Sequence, residues 1–171
     1  NDNTTGSNNV AIGRSALKLN NNDGNTAVGT DALGLSTNTY GSTSVGSGSL
    51  ALNTTGYYNT ALGAEALSKN QTGNFMVGIG RQAGYYETGS NKLFIDDDKR
   101  ASEADGRIKA LIYGEFGPNP TTNQVLSFNA GIINIPYLPV YADNAAALAA
   151  GLAAGRVYRT ATGVLMVVYT P

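Results

Sequence analysis

The 171-residue chain carries 11 Lys and Arg against 12 Asp and Glu, a net charge of −1 with 13% charged residues, and it contains neither Cys nor His. That inventory removes disulfides, thiolate and imidazole metal sites, Cys nucleophiles and Ser-His chemistry, and it offers no basic patch for nucleic acid. No apolar run approaches the about 18 residues that a membrane-spanning helix needs, so membrane insertion is not expected.

The chain opens at Asn1 with no Met and no signal-like segment, which reads as a processed or excised piece of something longer. A short motif then recurs five times, centred on Gly13, Gly29, Gly46, Gly63 and Gly80 at spacings of 16, 17, 17 and 17 residues. Aligned on that glycine, the residue before it is Ile12, Val28, Val45, Leu62 or Ile79, and the residue four after it is Leu17, Leu33, Leu50 or Leu67, with Gly84 in the last copy. Turn clusters such as Asp23-Gly24, Thr55-Gly56 and Thr72-Gly73 separate the copies. This period, with two apolar clusters and two turn signals, predicts a β-solenoid over residues 1–90 in which one coil is built from two short strands. Stacking turns the Ile/Val column and the Leu column into apolar ridges of the repeat core, and five coils would span about 24 Å at about 4.7 Å per strand.

Three further columns bear on the surface. Ala11, Ala27, Ser44, Ala61 and Gly78 admit only small side chains, so another backbone must come close. It is either the other wall of the same coil or a neighbouring chain, and in the second case the molecule is an obligate oligomer. Asn9, Asn25, Ser42 and Asn59 can satisfy turn backbone as Asx turns do. Thr26, Thr43 and Thr60, flanked by Val10 and Val77, form one Thr column of three rungs. That falls short of the two parallel columns usual on ice-binding faces and reads as β-branched residues on an exposed strand face.

The repeats Asn9-Val10-Ala11-Ile12-Gly13, Asn25 to Leu33, Asn59 to Leu67 and Val77 to Gly84 resemble the head repeats of trimeric autotransporter adhesins (YadA-like heads) over roughly residues 5–95. The resemblance implies a left-handed parallel β-roll, a homotrimer of chains wound side by side, and work as a surface adhesin. The sequence then departs from that family. No sustained heptads follow; instead Asn91-Lys92-Leu93-Phe94-Ile95-Asp96, a charged loop from Asp97 to Arg107, and Leu111-Ile112-Tyr113-Gly114 resemble the segment after such repeats in phage tail fibres and related appendages. Residues 91–117 are expected to be a neck-like pair of strands with a long exposed connection.

Asp96-Asp97-Asp98 offers hard oxygen ligands, but the spacing matches no calcium loop and Lys99-Arg100 follow at once, so a solvated charged loop is expected. Asp96, Asp98, Glu103, Asp105 and Glu115 supply acids for glycoside cleavage, yet a thin roll offers no evident cleft to hold a sugar. No enzyme activity, catalytic residue, metal or cofactor is expected.

Pro118-Asn119-Pro120 reads as a linker, and residues 118–171 as a small α+β tip domain. Gln124 to Phe128 and Gly131 to Ile135 read as short strands, ending at Pro136-Tyr137-Leu138-Pro139. Asp143 is a good N-cap for an Ala-rich helix over 143–154 with Gly155 at its C-terminal end, and 157–169 reads as a β-hairpin. Tyr141 to Asn144 and Tyr158 to Gly163 resemble the terminal piece of phage structural proteins.

Together these readings give the distal part of a trimeric fibre that binds a host surface glycan or protein, carried outside a phage or phage-like particle by an upstream fibre or baseplate protein. Alternatives are a structural spacer or trimerisation tip, or an adhesin head on a bacterial cell surface. Candidate receptor contacts are Tyr57-Tyr58 and Tyr85-Tyr86, whose rings can stack on sugars, and Tyr158 with Arg156 and Arg159 at the tip. Tyr57-Tyr58 and Tyr85-Tyr86 can equally serve only to cover the edges of the coils.

Overall fold

A computed structural model describes residues 5–117, 124–130, 138–162 and 165–168. The Pro118-Asn119-Pro120 linker, the Gly131 to Ile135 strand and the proline run beginning at Pro136 lie wholly or partly outside these residues. The chain divides into two compact units, 1–131 and 132–171.

The first unit is mainly β and is built on a β-solenoid. Each coil contributes one three-residue strand: β1 (Val10–Ile12), β2 (Thr26–Val28), β3 (Thr43–Val45), β4 (Thr60–Leu62) and β5 (Val77–Ile79). They pair in parallel with the register of the motif, Ala11 to Ala27 to Ser44 to Ala61 to Gly78. The second strand expected in each coil is absent among the described residues. The returning wall is a run of turns in which Leu17, Leu33, Leu50 and Leu67 hold φ between 47° and 51°, a left-handed conformation that cannot continue an extended ladder. These leucines still bond from coil to coil, Leu33 N–H to Ser49 O at 3.1 Å and Leu50 N–H to Ala66 O at 3.0 Å.

The small-residue column closes against this wall of its own chain. Ala27, Ser44 and Ala61 are fully buried, as are Leu33, Leu50 and Leu67, and a β-carbon added to Gly78 would stand 2.8 Å from Leu67 Cγ. Where Ser44 replaces Ala in the column, Ser49 stands on the facing wall where the other coils have the buried Ala16, Ala32, Ala66 and Ala83, and the two hydroxyls bond at 2.5 Å. The motif glycine has its own reason: Gly29 sits at φ +133° with the space of its β-carbon 2.6 Å from the Gly46 carbonyl of the next coil.

One half of the expected core is therefore corrected. The Leu column is the interior ridge, but Ile12, Val28, Val45, Leu62 and Ile79 lie on the opposite side of the strand from the buried small residues, and Ile12 is 60% and Leu62 49% exposed. Alternation along a three-residue strand allows only the central residue to face inward. Thr43 and Thr60 share the outer face and are exposed.

Two buried polar columns secure the turns. In one, the side chain of each coil caps the next coil's backbone: Asn25 N–H donates to Asn9 Oδ1, Ser42 N–H to Asn25 Oδ1, Asn59 N–H to Ser42 Oγ and Met76 N–H to Asn59 Oδ1, at 2.8–3.1 Å. The other, three residues after the Leu column, runs Asn20, Ser36, Asn53, Asn70 and Glu87, all buried. Asn53 and Asn70 donate to Gly56 O and Gly73 O at 2.7 and 2.9 Å. Buried polar groups are tolerable where they are bonded, as Asn53 and Asn70 are.

Beyond the coils the same sheet continues. β6 (Lys92–Ile95) joins β5 in parallel, β7 (Ile112–Glu115) joins β6 antiparallel, and β8 (Val125–Phe128) joins β7 antiparallel. β8, expected in the tip domain, thus belongs to the first unit. The charged connection is also not the expected loop throughout: it contains helix α1 (Glu103–Lys109), capped by Ser102, which accepts from Asp105 N, with Glu103 and Asp105 in its first turn and Arg107 and Lys109 in its last. Inner rungs here are Phe94 and Tyr113, 5.2 Å between ring centroids.

The second unit packs α2 (Asn144–Ala149) with a hairpin of β9 (Val157–Arg159) and β10 (Leu165–Val167). Asp143 Oδ1 caps the helix at Ala146 N, 2.8 Å, but the helix is shorter than expected and Gly151, at φ +81°, lies beyond its end before Gly155 is reached. Its core is Ala147, Tyr158 and Val168, with Tyr141, Leu148, Leu152 and Met166 against it.

Candidate binding surface

At the turn preceding each strand, coil-to-coil bonds stack two adjacent columns. Gly41 N–H donates to Asp23 O, Tyr58 N–H to Tyr40 O and Phe75 N–H to Tyr57 O. One column is thus Asp23, Tyr40, Tyr57, Asn74 and the other Gly24, Gly41, Tyr58, Phe75. Tyr40 and Tyr57 stack with centroids 4.7 Å apart and 7° between planes; Tyr58 and Phe75 stack at 5.7 Å and 27°. Tyr58 meets both Tyr40 and Tyr57 edge to face. Tyr40, Tyr58 and Phe75 are exposed at 38%, 52% and 45%. Burial, then the neighbouring phenols of Tyr57 and Tyr58, push the Tyr40 hydroxyl above its ordinary pKa.

Both stacks open towards the Asp23-Gly24 coil. There an open notch of about 600 Å³ is lined by Asn8, Asn22, Asp23, Gly24, Asn38, Tyr40, Gly41 and Tyr58. The Tyr58 ring lies beside Gly41, its Cε1 2.5 Å from where a β-carbon would be, whereas a β-carbon on Gly24 would meet only Gly41 N, at 4.0 Å.

Tyr85 and Tyr86 occupy a different setting, half-buried and edge to face at 4.8 Å. Lys99 Nζ lies 4.4 Å from the Tyr85 centroid and 5.4 Å from that of Tyr86, a cation–π arrangement that covers the pair. In the second unit Tyr158 corrects the expectation: it is fully buried in the small core and presents no ring, while Arg156 and Arg159 are exposed.

The acidic residues from Glu87 to Glu115 are engaged by cations. Arg100 grips Asp96 with Nε and Nη2 at 2.7 and 2.6 Å and reaches Asp98 at 3.6 Å, and Arg81 approaches Asp97 at 3.6 Å. Arg107 holds the buried Glu87 through Nε and Nη2 at 2.8 and 2.7 Å, which raises the guanidinium pKa. Hydrogen bonds from the Thr88 hydroxyl and N–H lower Glu103. The Tyr113 hydroxyl donates to Glu115; this bond, then Lys92, lowers Glu115, and burial followed by the carboxylate raises Tyr113. Among the described residues no group of three Asp or Glu could hold a metal ion, and no helix is long and apolar enough to cross a membrane.

Sequence reasoning singled out Tyr57 and Tyr58 but missed Tyr40 and Phe75, which the 17-residue spacing would have placed beside them. Comparison with protein-family models, with curated proteins and with solved structures found no match.

Proposed function

We propose that the chain is part of a self-associating fibre that attaches to a cell surface, as a homotrimer whose chains meet through the outer face of the sheet. The observation that carries this reading is that face itself. Two columns, Ile12 to Val28, Val45, Leu62, Ile79, Ile95, Ile112 and Phe128, and Val10 to Thr26, Thr43, Thr60, Val77, Leu93, Gly114 and Leu126, run in register across all eight strands without a charged residue. Ile12, Leu62, Leu126 and Phe128 are each about half exposed or more in the single chain. A continuous, uncharged and largely apolar face of this kind supports an association surface, and a face that repeats one chemistry rung after rung is complementary to other copies of itself. The resemblance to trimeric adhesin heads supplies the stoichiometry. Three copies give weak sites avidity.

The test is retention of the labelled chain on a panel of intact bacterial and animal cells, beside a Val45→Lys/Leu62→Lys variant that places charges on the face. The expected result is retention on at least one cell type and its loss in the variant, which sediments as a monomer. No retention on any surface, or undiminished assembly of the variant, overturns the reading.

A further inference from the structure

We infer that the Asp23-Gly24 notch binds a neutral pyranose sugar as the next ring of the aromatic stack, an inference that rests on the attachment reading and names the ligand class of its surface. Each aromatic column ends where a ring is missing. Tyr40 has one face on Tyr57 and Tyr58 has one face on Phe75; the rung before Tyr40 carries Asp23, while the Tyr58 ring already lies against Gly41 on the rung before it, and the space over Gly24, one rung further on, is open. Coils repeat at about 4.8 Å, close to the separation of stacked rings, so a flat apolar face lying over Gly24 continues the stack. The C–H face of a pyranose has that shape and surface, and rigid tyrosines with a polar handle suit it.

The rest of the lining supplies what the hydroxyls of the same ring require. Asp23 Oδ1 accepts from Ser7 N at 2.6 Å and Asn38 Oδ1 from Asn22 Nδ2 at 2.5 Å, which leaves Asp23 Oδ2 as an acceptor and Asn38 Nδ2 as a donor with no other bond among the described residues. A carboxylate beside a carboxamide matches vicinal hydroxyls, each of which both donates and accepts. No Lys or Arg lines the notch, and the Asp23 charge repels an anionic sugar, so the site selects neutral hexoses over sialic or uronic acids. A single stacked ring with a few hydrogen bonds gives a Kd of about 1 mM, and repetition of the notch on each copy of a trimer would raise the apparent affinity.

The experiment is saturation-transfer NMR on the full chain with methyl glucoside, methyl galactoside, methyl mannoside and N-acetylglucosamine, with sialic acid as the anionic control. Transfer to the ring protons of at least one neutral sugar and none to sialic acid is expected. Gly24→Tyr fills the notch with a residue that the next-but-one coil already accommodates at this position, Tyr58 at φ 53°, so it should keep the wild-type thermal midpoint and lose sugar binding. Tyr58→Ala should weaken binding at least tenfold. Transfer from no neutral sugar, or binding that survives in Gly24→Tyr, overturns the inference. Cell-surface retention measured on Gly24→Tyr separates the two readings: retention without sugar binding leaves attachment standing and removes this site, whereas a wild-type chain that binds a sugar but no cell leaves the site standing and removes attachment.

Discussion

Replacing Arg107 with Leu tests how the solenoid is locked at its last coil. Glu87 occupies the position held in earlier coils by Asn20, Ser36, Asn53 and Asn70, and its side chain is 1% exposed. Its carboxylate takes two bonds from Arg107 and one from Gly89 N–H at 2.9 Å. Without the guanidinium the charge is left buried with one donor, a situation that costs about 3–5 kcal/mol. Arg107 is itself 36% exposed, so water can partly replace it and the lower end, about 3 kcal/mol, is expected. For a unit of this size that corresponds to a fall in Tm of roughly 10 °C. The column suggests its own rescue: Glu87→Asn restores the residue of Asn53 and Asn70 and removes the charge, so the double variant should recover most of the loss. Thermal and urea unfolding followed by circular dichroism at neutral pH provide the assay. A single variant within 1 kcal/mol of wild type, or a double variant less stable than Arg107→Leu, would refute the reasoning.

Ser36 interrupts the same column, and Ser36 Oγ and Asn20 Oδ1 are buried with no partner among the described residues; Ser36→Asn should add about 0.5–1.5 kcal/mol by letting the new amide reach Asn20, as Asn70 reaches Asn53, and a loss in urea midpoint would count against the ladder. Leu50→Ala, in the middle of the interior ridge, should cost about 2–5 kcal/mol in the same unfolding assay, whereas a cost below 1 kcal/mol would mean the ridge is not the core. Stability should also depend on pH in two windows. Glu103 and Glu115 titrate below the ordinary 4.5 in the folded chain, so their contribution is complete above pH 4.5 and is lost as pH falls through their lowered values; Tyr113 is raised above 10.0, so stability declines as pH climbs past 10. A urea midpoint flat across both windows would contradict the assignments.

The 17-residue period made the stacking axis and strand register legible before any coordinates, because one rung shift would misalign every column at once. It did not distinguish inside from outside. Ile/Val and Leu columns are equally apolar, and what places Leu within is the left-handed turn that swings Leu17, Leu33, Leu50 and Leu67 across the coil, a conformation that leucine rarely adopts and sequence pattern does not announce. Helix α1 was hidden by Gly106 and by a run of charges that reads as solvated loop, although Ser102 with Asp105 three residues later was a legible start signal. Of the candidate surface, Tyr57 and Tyr58 were found as a local pair. Tyr40 and Phe75 join them only through the period, and the vacancy over Gly24 is a property of three dimensions. Tyr158 misled because alternation in a three-residue strand leaves open which face the partner helix covers.

The account turns on the outer face being covered by other copies of the chain. The most direct measurement is solution mass by light scattering on a size-exclusion column over a dilution series. A mass of three chains that holds on dilution is the result the account predicts. A folded monomer at every concentration, with its Ile/Val face open to water, would contradict it and remove the avidity argument for attachment.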